Sequence, residues 1–357
     1  MTSSTHSQRI ARVARLIAEK GLGGVLVGPG PELAYLTGSW TSSHERLTAL
    51  TVAPDGTARL VAPLTDATGL DLPGVEVLGW RDGEDPYQLA VRGLGPGRVG
   101  LGSSLTADHV LRLQELLPST VLALSVLSEV FAAKEPDELA QLQGAAEAID
   151  GVHAQVPGLL EPGRTEEEVA RDLERLILDG HDAVDFVIVG SGPNGANPHH
   201  SHSDRVLREG DPVVVDIGGS LGEGYHSDCT RTYQVGRVRD GEFLRAYAVL
   251  QRAQDAAVAA ARPGITAGEL DAVARDIIAA AGYGEHFTHR TGHGIGLSLH
   301  EEPFIVAGSD RVLAEAMAFS IEPGIYLPGR WGMRIEDIVT LTADGARRLN
   351  RQPRQLR

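Results

Sequence analysis

The chain has 357 residues, 42% of them hydrophobic and 22% charged, a length and balance that suit two ordinary globular domains. Its 32 Lys and Arg against 48 Asp and Glu leave a net charge of −16, which excludes a broad nucleic-acid or anionic-membrane footprint and favours small molecules, metal ions or peptides as partners. The single cysteine, Cys229, excludes an intramolecular disulfide framework and fits a reducing compartment.

Met1 to Gln8 is Ser/Thr-rich, unlike an apolar leader, and no apolar run approaches the ~20 residues of a membrane span. A cytoplasmic protein without a membrane partner is expected. Ile10, Val13, Leu16 and Ile17 recur at helical spacing before Gly21, which predicts a helix over 10–20. Gly24-Val-Leu-Val-Gly28 reads as a short buried strand, and 47–61 as a hairpin turned at Pro54-Asp55-Gly56. Val75–Trp80 and Arg98–Gly102 read as strands with a helix near 86–94 between them, and Thr106 caps a helix through Leu117. This alternation predicts a compact α/β domain over 1–130.

From residue 134 to 357 the texture changes to longer helices and strands, an α+β domain. An Ala-rich helix is predicted over 135–156, with Pro136 in its first turn. Pro162-Gly-Arg-Thr165-Glu-Glu-Glu168 opens a helix to Gly180, and Pro263-Gly-Ile-Thr266-Ala-Gly-Glu269 opens another to Gly282. Both are Thr-x-x-Glu capping boxes after Pro-Gly, offset by 266 − 165 = 101 residues, and predict two similar halves. Each half also carries an acid-bearing hairpin. The first holds Asp216 and Asp228, the second Glu322 and Glu336.

Carboxylates set in apolar strands are costly unless paired, hydrogen-bonded or metal-bound. Singly, each reads equally well as a turn or cap residue. Four together would repel one another, and a pair of divalent cations resolves that repulsion. His293 lies in the glycine-rich Thr291-Gly-His293-Gly-Ile-Gly296, with His289 before it and His300-Glu301 after it. In Pro198-His199-His200-Ser-His202, His200 and His202 read as solvated loop residues. Oxygen ligands with one imidazole favour an ion such as Mn²⁺, and a thiolate zinc site is excluded. Two-metal sites activate water, so hydrolysis is the natural reaction class. Two motifs are set aside. Pro193 and the Asn197-Pro-His-His200 run cannot open the helix that Gly190-Ser-Gly192-Pro-Asn-Gly195 would need as a dinucleotide motif, and glycines argue against a helical His289-x-x-x-His293 pair.

Val-Val-Asp216-Ile-Gly, Ser-Asp228-x-Thr-Arg-Thr, Gly-His293-Gly-Ile-Gly-Leu-x-x-His300-Glu, Ile-Glu322-Pro-Gly-Ile-Tyr and Arg334-Ile-Glu336-Asp stand in this order within about 134–350. Together they resemble the pita-bread metallopeptidases, the family of methionine aminopeptidase, aminopeptidase P and prolidase. The domain ahead resembles that family's creatinase-like amino-terminal domain. The resemblance implies a catalytic domain over 134–357 with a pseudo-two-fold internal repeat. It also implies two divalent cations, Mn²⁺ first with Co²⁺ or Zn²⁺ as alternatives, and a homodimer.

It implies roles as well. Asp216 would bind one metal, Asp228 and Glu336 would bridge the pair, and His293 and Glu322 would complete the coordination of the second metal, with Glu322 also shuttling a proton. His199 and His300 would hold the scissile carbonyl, Arg334 would orient Glu336, and His289 would line the site. Asp216 and Asp228 stand 228 − 216 = 12 residues apart, one more than the family's usual spacing, and the extra residue is assigned to the loop Ser220–Gly224. Cys229, next to Asp228, should point away from the metals.

Two-domain members of the family cleave Xaa-Pro bonds, so an Xaa-Pro dipeptidase is expected. The alternatives are an aminopeptidase P acting on longer peptides and, more remotely, a non-catalytic peptide-binding module; a metal-free creatinase type is disfavoured by the complete ligand set. Many prolidases carry an arginine soon after the His300 motif, where this chain has Phe304. Arg46, in the polar loop 39–46, is the expected substitute, reaching a dipeptide's carboxylate from the partner subunit.

Overall fold

The computed structural model describes residues 3–357, so Met1 and Thr2 of the Ser/Thr-rich start lie outside the described residues. The chain divides into two units, one ending at Phe131 and one running Ala132–Arg357.

In the first unit the apolar, glycine-punctuated runs pair as one sheet. Its strands are β1 (Leu22–Val27), β2 (Ala49–Val52), β3 (Ala58–Pro63), β4 (Glu76–Trp80), β5 (Arg98–Leu101) and β6 (Thr120–Leu122), in the order β4-β3-β2-β1-β5-β6. The β2–β3 hairpin turns through Gly56, whose φ of 87° is open to a residue without Cβ. Helices α1 (Ser3–Glu19), α2 (Pro31–Thr37), α3 (Leu64–Ala67), α4 (Pro86–Val91), α5 (Ala107–Leu116) and α6 (Leu124–Phe131) complete the unit. α1 turns Ile10, Val13 and Ile17 inward, as their spacing predicts. The short elements α2, α3, β6 and α6 arise where no element was predicted.

The second unit is built twice over. α7 (Pro136–His153) starts on a Glu135–Glu138 capping box and stops short of the predicted Val156, because Val156-Pro157-Gly158 forms a separate 3₁₀ turn. α8 (Glu166–Leu178) comes next, then β7 (Ala183–Ser191), β8 (Pro212–Leu221), β9 (Tyr225–His226) and β10 (Cys229–Gln234). The second half repeats the plan with α9 (Gly241–Ala260), a helix that the residue spacing does not predict, and α10 (Ala267–Ala280). Both predicted Thr-x-x-Glu boxes form, with Glu168 N donating to Thr165 Oγ1 at 3.2 Å and Glu269 N to Thr266 Oγ1 at 3.1 Å. Strands β11 (Gly292–Gly294), β12 (Glu301–Ile305), β13 (Ala318–Ile321), β14 (Gly324–Leu327), β15 (Trp331–Arg334), β16 (Asp337–Thr342) and β17 (Gly345–Arg348) close the unit. Five of them form the sheet β12-β11-β13-β16-β17, and β14 pairs with β15.

Register decides where the acids fall. Ile217 pairs with Cys229 and Ser220 with His226, so one register runs through both ladders and sets Asp228 opposite Gly218. Asp216 faces Thr230. Strand alternation then puts Asp216, Asp228 and Thr230 on one face and Cys229 on the other, inside the core with Ile149, Val169 and Ile177. The chain reverses between Asp216 and Asp228 in a turn where Gly222 and Gly224 have φ of 66° and 98°. In the second half Ile321 pairs with Asp337 and Gly324 with Arg334, so a single register sets Glu322 opposite Glu336. Among the described residues no helix is long and apolar enough to cross a membrane.

Candidate active site

The two hairpins bring four acids and a histidine to one buried place. Asp216, Asp228, Glu336 and His293 are buried, and Glu322 is partly exposed. One oxygen each of Asp216, Asp228 and Glu336 lie within 4.8 Å of one another, as do donor atoms of His293, Glu322 and Glu336, and of Asp228, His293 and His300. All five residues expected to ligate metal are therefore drawn together, with His300 at the rim.

Hydrogen bonds orient them. His293 Nδ1 lies 3.1 Å from Gly294 O and donates to it, so Nε2 faces Glu322 Oε1 at 3.2 Å and Asp228 Oδ2 at 3.5 Å and gives them its second proton wherever no cation takes that place. Ser320 Oγ accepts from His293 N and donates to Glu322 Oε1 at 2.9 Å. Thr230 Oγ1 lies 2.7 Å from both Asp216 Oδ1 and Glu336 Oε2, and its one proton serves only one of them. The other carboxylate needs a proton or a cation there.

Arg334 donates from Nε to Thr230 Oγ1 at 2.9 Å, from Nη1 to Tyr326 Oη at 2.9 Å, and from Nη2 to Asp216. It thus holds Asp216 directly and reaches Glu336, the ligand it was expected to orient, through Thr230. His289 donates from Nδ1 to Arg290 O at 2.7 Å, so its Nε2 accepts from Tyr326 Oη at 2.9 Å. Thr230, Ser320 and Tyr326 were not singled out in the sequence. Alternation from Asp228 to Thr230, and from Glu322 to Tyr326, was the signal available.

The electrostatics record crowding. Burial, then the charges of Asp228, Glu322 and Asp216, push Glu336 well above the usual carboxylate range. Burial and the neighbouring acids also raise Asp228, to about 6, although His293 opposes them. Burial works against the His293 imidazolium, but Asp228 and Glu322 more than reverse it, to about 10. Glu322, despite desolvation that works to raise it, is held at about 2 chiefly by His293. Glu336 Oε1 is buried with no hydrogen-bond partner among the described residues. Clustered carboxylates, an imidazole nitrogen facing them whose proton a cation can displace, and an orphaned oxygen make a donor set that fits hard or borderline divalent cations.

The remaining predicted residues are more peripheral. His199 is exposed, with Asn197 Oδ1 accepting from its backbone N at 3.1 Å, and it stands near enough to His289 and His300 to act on both electrostatically. His300 is exposed, its ring edge-on to His293 at 4.1 Å between centroids. Burial, then the charges of His293 and Arg290, lower it to about 4. His200 is not a solvated loop residue: its Nε2 lies 2.8 Å from the fully buried Glu166, and His202 is half-buried with Nδ1 unpartnered. Arg46, in the first unit, lies 3.8 Å from Asp66 and from Asp82.

Comparison with known proteins places this geometry. Residues 140–343 match the family model described as "Metallopeptidase family M24", and 9–133 match "Creatinase/Prolidase N-terminal domain". The chain is 51% identical over 363 residues to "Probable dipeptidase PepE" of Mycobacterium tuberculosis, covering 99% of this chain and 96% of that one. It is 38% identical over 329 residues to "Xaa-Pro dipeptidase" of Lactobacillus helveticus, covering 88% of each. The crystal structure of dipeptidase PepE from Mycobacterium ulcerans superposes with a TM-score of 0.95 at 49% identity, over 100% of this chain and 98% of that one.

Proposed function

This chain belongs to metallopeptidase family M24, with a creatinase/prolidase amino-terminal domain ahead of the catalytic one, and from that premise we propose that it is a di-metal Xaa-Pro dipeptidase. The observation that carries the reading is the convergence of Asp216, Asp228, His293, Glu322 and Glu336 around a buried, unpartnered Glu336 oxygen. The names of its relatives, dipeptidase and Xaa-Pro dipeptidase, support the substrate class.

Asp216 would hold one cation, Asp228 and Glu336 would bridge two, and His293 with Glu322 would complete the second. Mn²⁺ is the proposed ion. When bound, such a pair supplies Lewis acidity and a water acidic enough to attack at neutral pH. Everything else falls to the protein. Glu322, ionised and fixed by Ser320, takes the proton of the attacking water and hands it to the leaving proline nitrogen. His300 is neutral at neutral pH and still carries one N–H, which it offers with His199 to the carbonyl oxygen as charge develops there. Arg334 keeps Asp216 in place directly, and Tyr326, itself held by the His289 ring, braces the guanidinium. Proline makes the scissile bond a tertiary amide without N–H, so the site needs no acceptor for one.

Phe304, where many prolidases carry arginine, favours the second reading, an aminopeptidase P acting on longer peptides. Steady-state rates on Ala-Pro and Ala-Pro-Ala with Mn²⁺ separate the two. The dipeptidase reading expects Ala-Pro to be cleaved faster; a preference for Ala-Pro-Ala overturns it.

A further inference from the structure

A dipeptide cleaved before its proline ends in a free carboxylate close to the scissile bond, and a dipeptidase that selects short substrates has to recognise that charge. Most cations around the centre already have acidic partners. Arg334 is bonded to Asp216, and Lys134 to Glu301 beside His300. Arg275 makes two hydrogen bonds to Asp271, at 2.7 and 2.9 Å.

Arg290 differs. It is half-buried, and among the described residues its guanidinium has neither an ion pair nor a hydrogen bond. Its backbone is fixed on both sides, by Arg275 Nη2 donating to His289 O at 2.8 Å before it, and after it by His289 Nδ1 donating to its carbonyl and Thr291 N to Ile305 O at 2.9 Å. Its guanidinium carbon sits 4.6 Å from the centre of the Phe304 ring. Phe304 is the cross-strand partner of His293, so this ring lies beside the proposed metal centre. Arg290 is also close enough for its charge to act on the His300 imidazole. Stacking on an aromatic face holds a guanidinium flat and leaves its in-plane N–H groups pointing outward, the arrangement that grips a carboxylate with two parallel hydrogen bonds.

We propose that Arg290, braced on Phe304, binds the terminal carboxylate of the dipeptide and sets the enzyme's preference for dipeptides. This deepens the Xaa-Pro dipeptidase reading and rests on it. Phe304 then becomes the platform for an arginine supplied by the segment that leads into the neighbouring strand β11. Arg46 is the alternative anchor, but two acids of its own unit already flank it.

The test uses the full-length Mn²⁺-loaded enzyme with Ala-Pro and Ala-Pro-amide, whose carboxylate is blocked. The wild type is expected to favour Ala-Pro. Arg290→Ala should lower kcat/KM on Ala-Pro by about 10–100-fold, mostly through KM, as loss of a charged hydrogen-bonding partner implies. Its rate on the amide should stay within about twofold of wild type, which also shows that the variant is folded. Arg290→Gln should lose the same preference while keeping a side chain over Phe304, and Arg290→Lys should recover part of it. Arg46→Ala should leave the preference intact. Equal losses on both substrates in Arg290→Ala, or a preference that vanishes in Arg46→Ala and survives in Arg290→Ala, would overturn the assignment. A wild type that cleaves Ala-Pro and the amide equally would overturn it too. If the wild type cleaves no Xaa-Pro substrate, the dipeptidase reading itself falls and takes this inference with it.

Discussion

Asp228 shows how a single residue makes this centre sensitive to pH. Burial raises its carboxyl to about 6, His293 opposes that, and Asp216 adds to it. An unfolded aspartate titrates near ~3.9, so between these values the folded, cation-free protein binds more protons than the unfolded chain. The stability this group contributes is present at acid pH and is lost as pH rises through about 6. A divalent cation replaces the proton, so its benefit should grow as the proton leaves. We expect Mn²⁺ to raise the melting temperature more at about pH 7.5 than at about pH 5, by several degrees if the ion is in ~100-fold excess over its Kd. Thermal melts with and without Mn²⁺ at both pH values check this, and an equal or reversed effect would count against ligation by these acids. Asp216, Asp228, Glu322, Glu336 and His293 were legible because each stands inside an apolar or glycine-rich run where a charge is out of place. Arg290 was not, since its meaning depends on an aromatic ring 14 residues away in sequence (304 − 290) that only the β11–β12 pairing brings near.

At the scale of elements, the site depends on how loops are tied to strands. Glu166 is one of three consecutive acids in the first turn of α8, where a charge normally faces water. The fold buries it completely instead. It accepts from Ser191 N at 2.7 Å, Ser191 Oγ at 2.6 Å, Ser203 Oγ at 2.7 Å and Asn194 Nδ2 at 3.1 Å, with His200 Nε2 at 2.8 Å. Burial works to raise its pKa, but these donors hold it below the usual range. The carboxylate therefore gathers both ends of the loop that carries His199. Glu166→Gln turns one acceptor into a donor that faces other donors, and should lower stability by about 1–3 kcal/mol. Urea denaturation measures the loss, and the variant's Mn²⁺ content should stay at the wild-type level because no ligand is touched. An unchanged midpoint would refute the role. The repeat itself was readable from its Pro-Gly-led capping boxes, which are local chemistry. The β7–Glu166 tie was invisible because it joins residues brought together only by tertiary packing, and α9 was missed because its buried small residues, such as Ala246, Ala253 and Ala257, give a weak apolar contrast.

Over the whole molecule, the two halves of the catalytic unit each contribute a hairpin with one register, and the two registers point acids at the same centre. Such an arrangement is hard to sustain on protein atoms alone: Thr230 has one proton for two carboxylates, and Glu336 keeps an oxygen with no partner. Charge balance from bound cations is the physical claim that joins fold to activity. Its most direct measurement is the number of Mn²⁺ ions bound per chain after equilibrium dialysis, taken together with Ala-Pro hydrolysis before and after chelator. The account predicts two ions per chain in the wild type, about one fewer in Glu336→Gln because a bridging carboxylate is lost, and activity that chelator abolishes and Mn²⁺ restores. A chain that binds no Mn²⁺, or one that hydrolyses Ala-Pro equally well in excess chelator, would contradict it.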